Sequence, residues 1–555
     1  MIEQLKSAGD QLRVAWDNYY QVYSNIQNYY QAKGSDAPDL SLELSRQLDV
    51  ELAFLSSHEP KISKIKLSIR RARNYSPGIA PVNSLPPEIL TRIFHLLLSW
   101  PHELHLLSTD ENDHFPKYPD YLAQVCSSWR KIALSSSSLW DHIDLSFHQT
   151  FCNGLVARAK RHMARAGQLP IELRIADNGT DRQGDYNLMY QFLGHVSRRL
   201  VSVEFVVTSD RFFPVHRNAS LPLLRRPRTT FKKFVVRAEY RYITSFIFTE
   251  AFGFATNTNA EGDHGWELRG PNITIFDSKE GHVESSLASV TVLHLHGVFP
   301  AWYSTAYQGL VDLRMTSTKE WSYIGALDLI NILQSSPGLR ILHFGIEIED
   351  LTPENLQGAP VYLPDLQVVR IVPAKEDGTY ILNDILRFLA PGTKPLRLSL
   401  HHQYELKTVA VTELDQFFAR SRVAKFYTMG LFPPINMLLR HAANLEVVVL
   451  DSFKSGIPSE IRSRIFQFND SASFPHLESL HILSSSLSED DLRFFLECCP
   501  AGIQLHTTDV KRENNGASEP TQVSAEDLLE AFPTVRITGG FYQSKDPTVD
   551  WDLLD

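Results

Sequence analysis

The chain is poor in cysteine, the residue that builds disulfide frameworks and many zinc sites. Four cysteines stand in 555 residues. Cys126 and Cys152 are isolated, and Cys498 and Cys499 are adjacent. Neither arrangement has the C-x-x-C spacing of a zinc site, and so few cysteines do not form a framework of bridges. The cysteines therefore predict reduced thiols in an intracellular protein, in the cytoplasm or the nucleus.

Long apolar runs and an excess of positive charge are also missing. No uninterrupted apolar segment approaches the roughly 18 residues that cross a bilayer, and residues 1–16 are too polar for a signal peptide. The net charge is -10 and the pI is near 6.1, so the composition does not favour nucleic acid as a partner. We therefore expect neither a membrane nor a nucleic acid among the partners.

The short motifs of common catalytic sites are absent as well. The sequence contains no G-x-S-x-G, phosphate-binding loop, G-x-G-x-x-G or H-E-x-x-H. His294 and His296 would lie on one face of a predicted strand, but they lack a third ligand, and the strand register accounts for them without a metal. The sequence therefore predicts a chain with no catalytic residues, no cofactor and no metal.

What the sequence does contain, from about residue 165 onward, is a repeated pattern with apolar residues at positions one, four and six. A truncated further copy stands near residue 535. The eight full copies are Leu200/Val203/Phe205, Phe231/Phe234/Val236, Val290/Leu293/Leu295, Leu310/Leu313/Met315, Leu339/Leu342/Phe344, Leu366/Val369/Ile371, Leu445/Val448/Leu450 and Leu477/Leu480/Ile482.

This pattern is typical of leucine-rich repeats. Each copy predicts a short strand that points alternate side chains into a shared core, and the helical runs between copies cover the other side. The Asn or Cys of regular repeats, three residues after the last apolar position, is replaced by Glu347 and Ser485 in two copies. We therefore expect an α/β fold: an irregular solenoid with parallel strands on its concave face and helices outside.

Aligning the copies places a set of mostly polar side chains at one outward position, which we call the polar row. Such a row, partly cationic, suits a protein ligand, although solvated strand residues would give the same pattern. The row contains Glu204, His294, Arg314, His343, Arg370 and His481, and it is interrupted by Val235 and Val449.

The N-terminal residues 1–76 have a helical pattern. One helix is predicted before the break at residues 34–39, a second ends at Pro60, and a third piece follows it. Two interpretations remain open: a helical hairpin docked on the next domain, or a short coiled-coil dimer.

Between these regions, residues 83–100 read NSLPPEILTRIFHLLLSW and residues 121–145 read YLAQVCSSWRKIALSSSSLWDHIDL. This pair of segments resembles the F-box, and the wider plan of the chain is similar to the F-box-like proteins abundant in mushroom-forming fungi. Residues 99–120 separate the two helices by more than a compact F-box does. The positions that match and are candidates for binding are Leu85, Pro86, Glu88, Ile89, Leu90, Ile93, Phe94, Leu97, Val125, Cys126 and Trp129; Arg130, Leu139 and Trp140 match as well.

The resemblance implies a substrate-recognition subunit of a SKP–cullin–F-box type E3 ubiquitin ligase. The matching residues would bind the SKP-type adaptor and through it a cullin, and the polar row would bind a protein substrate destined for ubiquitin-dependent degradation. The implied organisation is an N-terminal helical region (1–76), an F-box-like domain (77–150), a leucine-rich-repeat solenoid (151–545) and an acidic tail (546–555). The last part of this tail, TVDWDLLD, is either a docking peptide or a frayed end, and we expect the frayed end.

The first F-box-like helix carries more apolar residues than one buried stripe needs. We expect Ile89, Ile93 and Leu97 to face the core of the module, which leaves Leu90 and Phe94 for a partner. The alternative is a non-catalytic leucine-rich-repeat scaffold in which both faces are hidden and the helices only cap the solenoid. Exposure of Leu90 and Phe94 would favour the receptor, and their burial would favour the scaffold.

Overall fold

The computed structural model divides the described part of the chain into two units, Met1–Leu90 with Cys126–Ser128 and Thr91–Val125 with Trp129–Asp555. The described residues are 2–33, 42–75, 81–98, 118–177, 184–208, 214–224, 230–238, 245–248, 272–275, 282–318, 322–357, 359–372, 385–401, 411–430, 433, 435–452, 476–499, 501–512, 521–538, 547–548 and 550–553.

Two long helices, α1 (Ile2–Lys33) and α2 (Leu42–Tyr75), form most of the first unit. They meet where the Tyr19 hydroxyl donates a hydrogen bond of 2.7 Å to the Glu51 carboxylate. Helix α2 continues through Pro60, so the prediction that a helix ends there is wrong. Proline removes one backbone hydrogen bond, but the helix-forming residues on both sides sustain the helix. Many apolar side chains of both helices remain exposed.

Twelve further α-helices are described. None of the helices in the described part of the chain is both long and apolar enough to cross a membrane. Their bounds are α3 (Pro87–Leu98), α4 (Leu122–Val125), α5 (Ser127–Ser135), α6 (Cys152–Arg165), α7 (Asn187–Val196), α8 (Pro214–Leu224), α9 (His282–Leu287), α10 (Ala326–Gln334), α11 (Val411–Arg420), α12 (Ile435–Arg440), α13 (Glu489–Cys498) and α14 (Ala525–Ala531).

One parallel sheet of fourteen strands dominates the second unit, and its strands lie in the order in which they occur along the chain. The result is a solenoid-like α/β fold. The strands are β1 (His142–Ser146), β2 (Ile171–Ala176), β3 (Leu200–Val207), β4 (Lys233–Ala238), β5 (Val292–His296), β6 (Asp312–Thr316), β7 (Ile341–Gly345), β8 (Val368–Ile371), β9 (Leu396–His401), β10 (Val423–Met429), β11 (Val447–Asp451), β12 (Ser479–Leu483), β13 (Ile503–His506) and β14 (Val535–Thr538).

Short strands form small sheets beside the main one. One three-stranded sheet consists of Ser245–Phe248, Asn272–Ile275 and Val298–Pro300, and the other consists of Ser486–Ser488, Asp509–Arg512 and Thr521–Gln522. One two-stranded sheet pairs Tyr323–Gly325 with Glu347–Glu349, and the other pairs Val361–Leu363 with Leu389–Pro391.

The apolar pattern explains why these strands form and which face they bury. Every one of the eight predicted copies supplies a strand of the main sheet, and none of their apolar side chains is more than 5% exposed. The truncated copy near residue 535 is β14. Sequence reasoning missed β1, β2, β9, β10 and β13, and β1 begins before residue 151, where the solenoid was predicted to start.

Three of the missed strands share one feature of sequence. Pro170, Pro395 and Pro500 stand at position one of β2, β9 and β13, where the pattern requires an aliphatic or aromatic residue. Position one precedes the strand, so a proline there removes no ladder hydrogen bond from the strand interior. A sequence pattern that accepts proline at position one would have predicted β2, β9 and β13.

The ladder of backbone hydrogen bonds continues just beyond several strands of the main sheet. Gly297, Gly430, Ser452 and Ser484 each follow a strand with a positive φ between 45° and 72°. Their amide groups donate to the carbonyl that ends the next strand, at 3.0–3.2 Å. Glycine adopts this left-handed backbone without strain, whereas the two serines do so at some cost. The ladder therefore extends one residue beyond the strands.

Candidate binding surfaces

Helix α3 has two apolar faces, and the structure assigns them opposite to the prediction. Leu90 and Phe94 are 1% and 0% exposed, whereas Ile89, Ile93 and Leu97 are 46%, 36% and 43% exposed. The expectation that the second set faces the core is therefore wrong. Residues four apart share a helix face, so sequence defines the two faces, but two equally apolar faces carry no signal of which one is buried.

The partners of Phe94 explain its burial. Its ring packs against Trp129 with a centroid separation of 4.8 Å. One residue further along the helix, the His95 imidazole and the Ser138 hydroxyl share a hydrogen bond of 2.9 Å. These partners lie in the second segment of the F-box resemblance and not in the repeats. Leu96, a residue that the resemblance does not include, adds to the exposed face of α3.

The other positions of the F-box resemblance are mostly at the surface. Residues 99–117, most of the segment that separates the two matching helices, lie outside the described residues. The exposed positions are Leu85, Pro86, Glu88 and Val125, and the half-buried ones are Cys126 and Trp129.

A partly buried ionic cluster holds residues just before α4 against α6. The Asp120 carboxylate accepts hydrogen bonds from Arg158 Nε at 2.7 Å and His162 Nε2 at 3.1 Å, and Arg165 lies 3.4 Å away. Arg158 also donates to the Tyr118 carbonyl. Burial lowers the pKa of His162, so the charge that offsets Asp120 comes chiefly from the arginines. We call Asp120, Arg158, His162 and Arg165 the Asp120 cluster.

The sheet register brings the predicted polar row together on the face opposite the repeat core. His294 pairs with Arg314, Arg314 with His343, and His343 with Arg370 on four adjacent strands. Glu204 is separated from His294 by Val235 alone, as the alignment predicts.

The row is not continuous as far as His481. The strands β9 and β10, which sequence reasoning missed, insert Ser399 and Tyr427 between Arg370 and Val449. The surface therefore has a cationic part followed by an apolar part. His481 lies beyond both, where it shares a hydrogen bond of 3.1 Å with His506. Burial and the neighbouring His506 lower the pKa of His481 to about 4, so it does not contribute a cation at neutral pH.

Within the cationic part, Asp312 lies between two residues of the row. Its carboxylate is 3.0 Å from His294 Nε2 and 2.9 Å from Arg314 Nε. Burial lowers the pKa of His294 despite this carboxylate. His296 shares a hydrogen bond with the Thr316 hydroxyl instead. Among the residues that the structure describes, no group of three or more His, Cys, Asp or Glu could hold a metal ion.

The described tail residues 550–553 lie on this same face, so the expectation of a frayed end is wrong. Asp552 forms an ion pair of 3.0 Å with Arg314 and a hydrogen bond of 3.0 Å with His343 Nε2. Trp551 is 5% exposed and packs with Tyr427 and Val449, flanked by Met429, Val447 and Leu483.

Arg397 fixes the backbone of the tail. It donates to the carbonyl oxygens of Trp551 at 2.8 Å and Leu553 at 2.6 Å, with Asp550 O at 3.5 Å. Burial would raise the pKa of Asp552, but the hydrogen bond from His343 and the nearby arginines outweigh it and hold the pKa at about 2. We call Arg314, His343, Arg397, Tyr427 and Val449 the tail site.

No protein-family model matches the chain, and no curated protein is similar enough to count as a match.

Proposed function

We propose that the chain is the substrate-recognition subunit of a SKP–cullin–F-box type E3 ubiquitin ligase. In this proposal the F-box-like helices bind the SKP-type adaptor, and an irregular leucine-rich-repeat domain binds a protein substrate. The ligase would transfer ubiquitin because the substrate is held close to it. No residue of this chain then needs to take part in the chemistry.

The observation that carries the proposal is the exposed apolar face of α3. Ile93, Leu96 and Leu97 follow one another at helical spacing, and Ile89 lies one turn earlier on the same helix; all four are at least 36% exposed. Exposed apolar side chains grouped on one helix are typical of surfaces that bind another protein. The opposite face is already filled by residues of the same module, so the exposed face is available for a partner.

The alternative is a leucine-rich-repeat scaffold in which the helices serve only as a cap. Burial of Leu90 and Phe94 favours it, because exposure of these two residues was expected of a receptor. The Asp120 cluster and the packing of Arg165 over Trp140 at 4.1 Å also tie the module to the first helix of the solenoid. Both roles are compatible, since the exposed face of α3 takes no part in these contacts.

Mixing the purified full chain with a SKP-type adaptor tests the proposal. We expect a 1:1 complex by size-exclusion chromatography with light scattering. Ile93→Asp and Leu97→Asp should each weaken it at least tenfold, because each would place a charge in an apolar interface. Leu327→Asp, at an exposed position of α10, is the matched control and should leave the affinity unchanged.

Two results would contradict the proposal at different points. If the wild-type chain forms no complex, the receptor role is wrong and the scaffold remains. If a complex forms but neither variant weakens it, the chain is a receptor whose docking surface is not this face of α3. Leu85→Ala with Pro86→Ala then tests the turn that precedes the helix.

A further inference from the structure

The tail site combines three kinds of recognition along strands β6 to β11 of the main sheet. Arg314 and His343 bind a carboxylate, Tyr427 and Val449 bind an indole ring, and Arg397 binds backbone carbonyl groups. A carboxylate held by a guanidinium, an aromatic anchor in an apolar depression and a clamp on the main chain are the elements by which proteins bind short peptides.

The site does not depend on the tail for its geometry. All of its residues lie on strands of the main sheet, and each of these strands pairs with a neighbour on both sides. The register between β9, β10 and β11 therefore fixes the spacing of Arg397, Tyr427 and Val449 whether or not the tail is present. Such a preformed site costs little to order when a ligand binds.

The contacts of the tail are suited to exchange. Side chains of Arg314 and Asp552 keep 26% and 31% of their surface exposed, and ion pairs that reach solvent contribute little each. Leu553, next in the chain, is exposed. Of the described tail residues, Trp551 is the one that is deeply buried, so the segment is anchored at one side chain rather than packed throughout.

We propose that the tail site is a binding site for acidic–aromatic peptide segments of partner proteins, and that Asp550–Leu553 occupies it in the free protein as an intramolecular competitor. A partner would present a tryptophan followed by an aspartate in extended or turn conformation and would displace the tail. The inference names the ligand class for the surface to which substrate binding is assigned above, and to that extent it rests on the proposed function.

Tethering accounts for the competition. The tail and the tail site belong to one chain, and intramolecular binding of this kind can have an effective concentration on the order of 1 mM. If the free peptide binds the vacant site with a Kd of roughly 50 µM, the tail fills the site in most molecules, and a competing peptide binds the wild-type chain about twentyfold more weakly. A partner with stronger contacts, or with several contact sites, overcomes this factor.

The test uses a fluorescent peptide with the sequence of residues 546–555, DPTVDWDLLD, and three full-length proteins. The first is the wild type, the second carries Trp551→Ala and Asp552→Ala, and the third carries Leu553→Ala as the matched control. By fluorescence anisotropy we expect the double variant to bind the peptide at least tenfold more tightly than the wild type. The control should behave as the wild type does.

Two further measurements test whether the binding depends on the Trp–Asp pair of the peptide and on Arg314 of the site. A peptide in which the Trp and the following Asp are both Ala should not bind the double variant. Adding Arg314→Gln to the double variant should weaken binding of the original peptide at least fivefold, because the carboxylate loses its guanidinium partner. No adaptor is present, so failure here and failure of adaptor docking are separate results.

Equal binding of the peptide to the wild type and the folded double variant would overturn the inference. If circular dichroism shows that the double variant does not fold, Asp552→Asn replaces it; this variant keeps Trp551 in place and should bind the peptide more tightly than the wild type does. If Asp552→Asn also fails to fold, or binds no better than the wild type, the tail is part of the structural core and the inference is wrong.

Discussion

Replacing Asp120 by Asn should destabilise the contact between the residues just before α4 and helix α6. The substitution keeps the size of the side chain and removes its charge, which leaves the Arg158 guanidinium, 4% exposed, without its carboxylate. Breaking a buried pair by removing one partner costs about 3–5 kcal/mol. Because Asp120 itself is 22% exposed, water can solvate part of the cluster, and we expect the lower end, about 3 kcal/mol.

Native-state hydrogen exchange measures the loss of stability locally, at helix α6, because solenoid domains can open locally. A loss of about 3 kcal/mol corresponds to roughly 100-fold faster exchange of the protected amides of α6. The matched control is Asp365→Asn, since the Asp365–Lys394 pair is exposed on both sides and should contribute less than about 1 kcal/mol. Combining Asp120→Asn with Arg158→Met should restore much of the protection, because no buried charge is then left alone.

The pH dependence of the same variant has a defined sign. Burial would raise the pKa of Asp120, but hydrogen bonds from His162 and Arg158 hold it well below its ordinary value. A carboxyl group with a depressed pKa stabilises the fold at pH values above its ordinary pKa, which is near 4. The fold loses this stabilisation as the pH falls below that value. The difference between wild type and Asp120→Asn should therefore shrink on acidification below about pH 4. Exchange in α6 within threefold of the wild type at pH 7 would refute the assigned role of the cluster.

Two more predictions follow from burial. Phe94→Ala should lower the free energy of unfolding by about 3–5 kcal/mol because it leaves a cavity beside Trp129. Ile93→Ala, on the exposed face of α3, should lower it by less than about 1 kcal/mol. Similar urea midpoints for the two variants would contradict the assignment of the buried and exposed faces. Because the pKa of His481 is lowered to about 4 by burial and His506, the unfolded chain takes up this proton first on acidification, and stability should fall between about pH 6.5 and 4. His481→Gln should reduce that slope in urea unfolding, and an unchanged slope would show that His481 does not contribute.

The strands show how much of the fold a local sequence pattern can predict. Leu339, Leu342 and Phe344 predict a strand, its core face and its register with the next copy, because alternation along a strand is a local property. Where Pro395 or Thr428 replaces an apolar residue of the pattern, the prediction fails although the strand still forms. There the neighbouring strands supply the hydrogen bonds and the buried surface, and a search along one segment does not detect them.

The candidate binding surfaces depend even more than the strands do on contacts that a local sequence pattern does not reveal. Sequence alone predicted the α/β class, a repeated parallel-strand architecture and the alignment of Arg314, His343 and Arg370. Only the tertiary structure decided that Phe94 rather than Ile93 is buried, and that Asp552 and Trp551 reach the row from the far end of the chain. Local periodicity is encoded in neighbouring residues, but the choice between two apolar faces and the docking of a distant tail depend on which surfaces meet in space.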